Sequence, residues 1–316
     1  MAIVIASLLV RSPPSTKIFA IFKTMSETLP ISSKYHILKL VGQGQFGRVY
    51  CAVDKKNGTT VALKELDQQR FPTKKFLREL HFLSSLQHPN IISFQGIEHI
   101  KNARFLVMDY CEAGTLRNFM QSDDFNLIHG LKFITDILAG LEHAHNRGIV
   151  HCDIKPENIL ISISSTSYLA RISDFGLARV CQELSTDKTI CTGSPAYMAP
   201  ERFYGKSSPA SDLYAVGVML YELVLGFRPF SGMPGELMTA HMNQAVEIPN
   251  AVPLLLRSTI STAMQKFPNK RFPSAAEMMK SVQLAIEVEK VTYGNIPPLN
   301  ISSNIPSFSY LNSTQA

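Results

Sequence analysis

The sequence contains no CxxC pair, and its five cysteines (Cys51, Cys111, Cys152, Cys181, Cys191) are odd in number. That argues against a disulfide framework or a zinc site and fits a reducing cytoplasm. It has no run of five or more basic residues, although 31 basic residues outnumber 25 acidic ones for a net charge of +6. A scattered excess of this kind is a mildly basic surface, not a nucleic-acid stripe, and would suit a substrate carrying phosphates. Nor does any apolar stretch reach membrane-spanning length. The longest, LYAVGVMLYELVLG from Leu213, is interrupted by Glu222 and reads as a buried helix, apolar nearly all round. There is no internal repeat. Residues 291–316 carry no charged side chain and are rich in Ser, Asn and Pro, so 289–316 is expected to be a flexible tail.

Residues 1–34 read as a leader. Its apolar run ends at Val10 with no basic region before it, which makes a poor signal peptide, and Met25 opens MSETLPISSKY. A disordered segment or an over-extended start is expected there.

Between these ends lies enough chain for two lobes, each with its own core. From Tyr35 to Asp109 the pattern is strand-like: HILKLV, RVYCAV, TVALKEL, IISFQGI and RFLVMDY, rich in Val, Ile and aromatics. One helix interrupts it, PTKKFLRELHFLSSLQHPN, with Phe76, Leu77, Leu80, Leu83 and Leu86 at helical spacing. After EAGTL the signal turns helical. Leu131, Ile134, Leu138 and Leu141 form one stripe, and Gly148 is a stop.

The segment VGQGQFGRV comprises Val41, Gly42, Gln43, Gly44, Gln45, Phe46, Gly47, Arg48 and Val49. A dinucleotide site would need a helix after the last glycine, but a β-rich run follows, so the loop lies in a hairpin. Its glycines would let backbone N–H groups approach phosphate oxygens without interference from Cβ. In VALK, Ala62 and Lys64 share one strand face. Lys64 by itself is an exposed strand lysine. Glu79 forms either a surface pair with Lys75 or a carboxylate that orients Lys64.

HCDIKPEN, from His151 to Asn158, holds several polar residues between two apolar runs, and ISDFGLA follows with Asp174. Phosphoryl transfer needs Mg²⁺ on hard oxygen ligands, which Asn158 and Asp174 supply. Asp153 can then orient and deprotonate an attacking hydroxyl while Lys155 neutralises the moving group.

With these motifs in order, and with APE (Ala199 to Glu201), SDLYAVG and Arg271 after them, the chain resembles the protein kinase family across residues 35–288. The resemblance implies an α+β bilobal protein kinase fold. A small β-rich N-lobe with one key helix would span about 35–109, and a larger, mainly helical C-lobe about 112–288. ATP would lie between them, with Mg²⁺. Met108 would be the gatekeeper, the Asp109–Cys111 backbone would meet adenine, and Val49, Ala62 and Leu160 would sandwich the ring. Asp153, Lys155, Lys64 and Glu79 would be catalytic. Arg271 would pair with Glu201, and His151 would pack beneath DFG.

Lys155 and GSPAYMAPE resemble serine/threonine kinases, with Ser194 where that group usually has threonine contacting the catalytic aspartate and lysine. The single-domain layout is similar to bacterial kinases of eukaryotic type. Protein substrates follow, with no membrane span and no nucleic acid. The alternatives are a pseudokinase-like ATP-binding scaffold and a small-molecule phosphotransferase of the same fold. Glu157 offers a weak preference for a basic residue near the target. One departure concerns regulation: the family usually has arginine at Cys152, where it docks an activation-loop phosphate.

Overall fold

Apolar alternation in the first third of the chain places two different faces on one sheet. The computed structural model describes residues 32–44, 47–66, 80–82, 84–100, 103–164, 167–180 and 193–293. Five antiparallel strands form the sheet: β1 (Tyr35–Gly44), β2 (Gly47–Asp54), β3 (Thr60–Leu66), β4 (Phe94–Ile100) and β5 (Ala103–Asp109), in the order β1-β2-β3-β5-β4. Tyr50, Ala52, Val61, Leu63, Phe105 and Val107 close a small core on one face. Because side chains alternate, Val49, Ala62, Lys64, Leu106 and Met108 belong to the other face. Strand pairing sets Val49 opposite Lys64, and Ala62 opposite Met108. The apolar pattern of IISFQGI predicts a strand from Ile91, but β4 starts at Phe94, and Ile91 makes only a single bridge to Ile172.

Between β3 and β4 the described residues 80–82 and 84–85 are helical. Phe82, outside the expected stripe, is buried in the larger core together with Leu86.

The larger body is helical: α1 (Leu116–Phe119), α2 (Leu127–His145), α3 (Pro209–Leu225), α4 (Pro234–Asn243), α5 (Leu254–Ala263) and α6 (Ala275–Tyr293). In α2 the stripe Leu131, Ile134, Leu138 and Leu141 is fully buried. Asn126 caps its start by accepting from the His129 N–H, and Gly148, at φ 69°, stands just past its end. Two short two-stranded pairings carry the polar loops. β6 (Ile149–Val150) pairs with β9 (Arg179–Val180), and β7 (Ile159–Ile163) pairs with β8 (Tyr168–Ile172). This is the α+β, two-lobed architecture expected, a β-rich lobe followed by a helical one.

Helix α3 is buried from Ser211 to Leu225, including Asp212 and Glu222. Buried carboxylates must be paired or hydrogen-bonded. Both are, and the candidate site is attached at these two points.

Candidate active site

Asp212 accepts the backbone N–H of His151 at 2.8 Å through Oδ2 and that of Cys152 at 2.9 Å through Oδ1. The His145 ring Nε2 lies 2.9 Å from Oδ2. Burial would raise the Asp212 carboxyl, but these bonds outweigh it and hold the group below the ordinary carboxylate range. An ionised acid inside α3 thus fixes the loop that carries Asp153.

Among the described residues, the polar partners of the Asp153 carboxylate come from the expected set. Oδ2 accepts from Asn158 Nδ2 at 2.9 Å and lies 2.9 Å from Lys155 Nζ. Oδ1 accepts the Ser194 N–H at 3.0 Å, and Lys155 Nζ donates to Ser194 Oγ at 2.7 Å. Gly193 is needed here: at φ 124°, a Cβ would lie 3.3 Å from the Cys152 carbonyl and 3.5 Å from Asp153 Oδ1. Asn158 Nδ2 also donates to the Asp153 carbonyl at 2.8 Å, so the amide orientation is set and its oxygen is left as a hard acceptor.

Asp174 follows β8 in the left-handed region, φ 61°, a conformation that aspartate tolerates better than most residues. Lys64 Nζ donates to its Oδ1 at 3.0 Å. Burial would raise this carboxyl, but the Lys64 ammonium beside it holds it low. Phe175 is buried, and the His151 ring meets it edge-on at 4.8 Å. His151 Nδ1 accepts the Asp153 N–H at 3.2 Å, so Nε2 carries the proton and donates to the Ser173 carbonyl at 2.9 Å. His151 therefore joins the Asp153 loop to the Asp174 strand end. The carboxylate of Asp174 and the amide oxygen of Asn158 are hard donors of the kind Mg²⁺ takes.

The glycine loop closes on Gly44 opposite Gly47, the latter at φ 139°. Gln45, Phe46 and Glu79 lie outside the described residues, as do Thr186, Lys188, Thr189 and Thr192. At the end of β5, Asp109 accepts from Arg171 Nη1 at 2.8 Å and from Gln95 Nε2 at 2.8 Å. Arg171 Nη2 also donates to the Ile91 carbonyl and to Ser93 Oγ. Burial pushes the neighbouring Cys111 thiol up to about 11, so it stays protonated.

Two ion-pair networks flank the site. Arg271 reaches Glu201 with a two-pronged contact of 2.7 and 2.8 Å, and its other donors go to the carbonyls of Ala210, Gln265 and Lys266. Arg117 on α1 donates to Glu157 at 2.8 Å, to Glu222 at 2.8 Å and to the Tyr197 hydroxyl, which itself donates to Glu222. Glu157, read as a selector of basic substrate residues, already has an internal arginine. The sequence pattern does not mark the roles of Arg117, Asp212 and Arg171. A carboxylate inside an apolar helix was the available signal for Asp212.

The family described as protein kinase domain matches residues 35–283. The chain is 29% identical over 272 residues to a probable serine/threonine-protein kinase PknB of Lactococcus lactis, covering 82% of this chain and 43% of that one. It is 36% identical over 215 residues to serine/threonine-protein kinase D2 of Rattus norvegicus, covering 66% of this chain and 24% of the other. An Aurora kinase of Eremothecium gossypii is 32% identical over 246 residues, covering 76% of this chain and 66% of that one. The chain thus spans less than half the length of the first two relatives.

Proposed function

The chain belongs to the protein kinase domain family, and we propose that it transfers the γ-phosphoryl group of ATP to serine and threonine hydroxyls of protein substrates. The observation that carries this reading is the fixing of Asp153 on both oxygens. Asn158 and Lys155 hold Oδ2, and the Ser194 N–H holds Oδ1. A carboxylate set this way can orient a substrate hydroxyl and accept its proton as the oxygen attacks phosphorus. Lys155 bridges Asp153 and Ser194, where it would meet the charge that develops on the transferred group.

Residues 41–49 would lie over the phosphates, with Lys64 gripping them. Val49, Ala62, Met108 and Leu160 would enclose adenine, against the Asp109–Cys111 backbone. Asp174 and Asn158 would hold Mg²⁺, which would neutralise phosphate charge. Glu79 is assigned to orient Lys64. The domain is taken as residues 35–288. Among the described residues no helix is long and apolar enough to cross a membrane. The buried thiols of Cys51 and Cys111 suit a reducing cytoplasm.

The anchored Glu201 segment favours a protein substrate over a small molecule, because it fixes the strip beside Ser194 on which a peptide would lie. The test is incubation of purified protein with ATP, Mg²⁺ and generic serine/threonine substrates. Phosphoserine or phosphothreonine should form, and an Asp153→Asn control should form none. ATP binding without transfer to any protein would return the chain to a scaffold role.

A further inference from the structure

Cys152 occupies the left-handed region, φ 70°, which crowds the Cβ of an ordinary L-residue against the following carbonyl. Such a conformation persists only where its surroundings over-determine it. The Cys152 N–H is held by Asp212 at 2.9 Å. The next peptide group, between Cys152 and Asp153, is held by two other side chains. His151 Nδ1 accepts its N–H at 3.2 Å. Arg202 Nη2 donates to its C=O at 3.2 Å. In a trans peptide the C=O and N–H point in opposite directions, so Arg202 and His151 grip one plane from opposite edges. The rotation of that plane sets the direction in which the Asp153 side chain leaves the backbone.

Arg202 is well placed to hold an edge. It is 5% exposed and sits in the short helical segment Pro200–Tyr204. Its Nη1 donates to Ser207 Oγ at 2.7 Å, and its N–H goes to the Ala199 carbonyl. The preceding residue, Glu201, is fixed by Arg271 and by Ser211 at 2.7 Å. An unbroken chain of contacts therefore runs from Arg271 through Glu201 and Arg202 to the carbonyl next to Asp153.

We propose that Arg202 is a positioning residue for Asp153: its guanidinium holds the Cys152–Asp153 peptide plane and so aims the catalytic carboxylate. The substrate-facing segment thereby controls the base across the loop, at the position where an arginine is replaced by Cys152. The consequence for turnover rests on the phosphotransfer reading above; the clamp itself does not.

The test compares wild type with Arg202→Met, which keeps apolar bulk in the buried site, and Ser207→Ala, which removes only the outer anchor. Two quantities are read: kinetic constants and hydrogen exchange at the Asp153 amide. Arg202→Met should lower kcat by about 10–10²-fold, the cost of a small misplacement of a reacting group. KM for ATP should change less than about threefold, and exchange at the Asp153 amide should accelerate. Ser207→Ala should shift both in the same direction by less, and Arg202→Lys should recover part of kcat. Unchanged amide exchange in Arg202→Met would overturn the proposal, whatever its kcat. An inactive wild type whose Asp153 amide loses protection in Arg202→Met would support the clamp and refute the phosphotransfer reading. If Arg202→Met does not fold, an unaltered Asp153 amide in Ser207→Ala overturns the proposal.

Discussion

Lys64 and Asp174, 110 residues apart in the chain, meet at 3.0 Å. The pair joins the inner face of the sheet to the strand end of the helical body. Lys64→Met should reduce phosphotransfer by about 10²–10³-fold, the scale for losing one fixed charge beside developing negative charge. The protein should stay folded, because the small core lies on the other face of β3. Kinetics with a thermal melt check both. Full activity would make Lys64 a strand lysine with no part in the chemistry.

Asp153→Asn should abolish turnover by a different route. The amide keeps the shape of the group but cannot accept the hydroxyl proton. A loss of about 10²–10⁴-fold in kcat is expected. ATP affinity should persist, since among the described residues no hydrogen bond of Asp153 reaches the glycine loop. Titration with a fluorescent ATP analogue separates the two effects.

Arg271 and Glu201 form a buried, two-pronged ion pair, with the Arg271 guanidinium stacked 4.8 Å from the Tyr214 ring. Removing one partner leaves the other charge uncompensated, which costs about 3–5 kcal/mol. Arg271→Met should therefore lower the urea midpoint markedly. Glu201→Gln should do so less, because its amide oxygen still accepts from the guanidinium. Equal and negligible shifts would mean that water replaces the pair.

His241 is fully buried, with its Nδ1 2.9 Å from the Tyr214 hydroxyl. Burial, helped by the Lys266 charge, pushes its pKa from 6.5 down to about 4. The unfolded chain therefore takes up the proton first as pH falls. The stability contributed by neutral His241 is complete above 6.5 and is lost progressively towards 4. The loss should reach roughly 2 kcal/mol by about pH 5. Urea unfolding at about pH 7.5 and about pH 5 measures it, and His241→Asn should flatten this part of the dependence.

Cys152 bears on regulation. Its thiol contacts the Val150 carbonyl at 3.6 Å and carries no charge that needs a phosphate partner. Phosphatase-treated protein should retain activity, with autophosphorylation raising the initial rate less than about threefold, under 1 kcal/mol of barrier. Cys152→Arg should move the enzyme towards phosphate dependence. A many-fold activation traced to Thr186, Thr189 or Thr192 would show that another cation reads the phosphate.

What sequence reasoning could reach depended on range. Asp153, Lys155, Asn158 and Asp174 stand in short motifs, and their polar character between apolar runs exposes them. The alternation in TVALKEL placed Ala62 and Lys64 on one face. Ser194 and Arg271 came only through the family resemblance. By contrast, Arg202, Arg117 and Arg171 act through partners 50, 105 and 62 residues away. A lone arginine in a sequence has no period and no neighbour to signal such contacts. The pattern of IISFQGI overshoots the start of β4 because a buried apolar residue such as Ile91 looks the same in a strand as in a core-filling turn.

The contact between Asp109 and Arg171 ties the end of β5 to β8. Arg171 is tied to the Ile91 carbonyl and Ser93, and Asp109 is tied to Gln95. Arg171, on β8, thereby fastens the end of β5, through Asp109, and the segment leading into β4 to the larger body. Under the proposed function, adenine would sit beside this cross-linked junction.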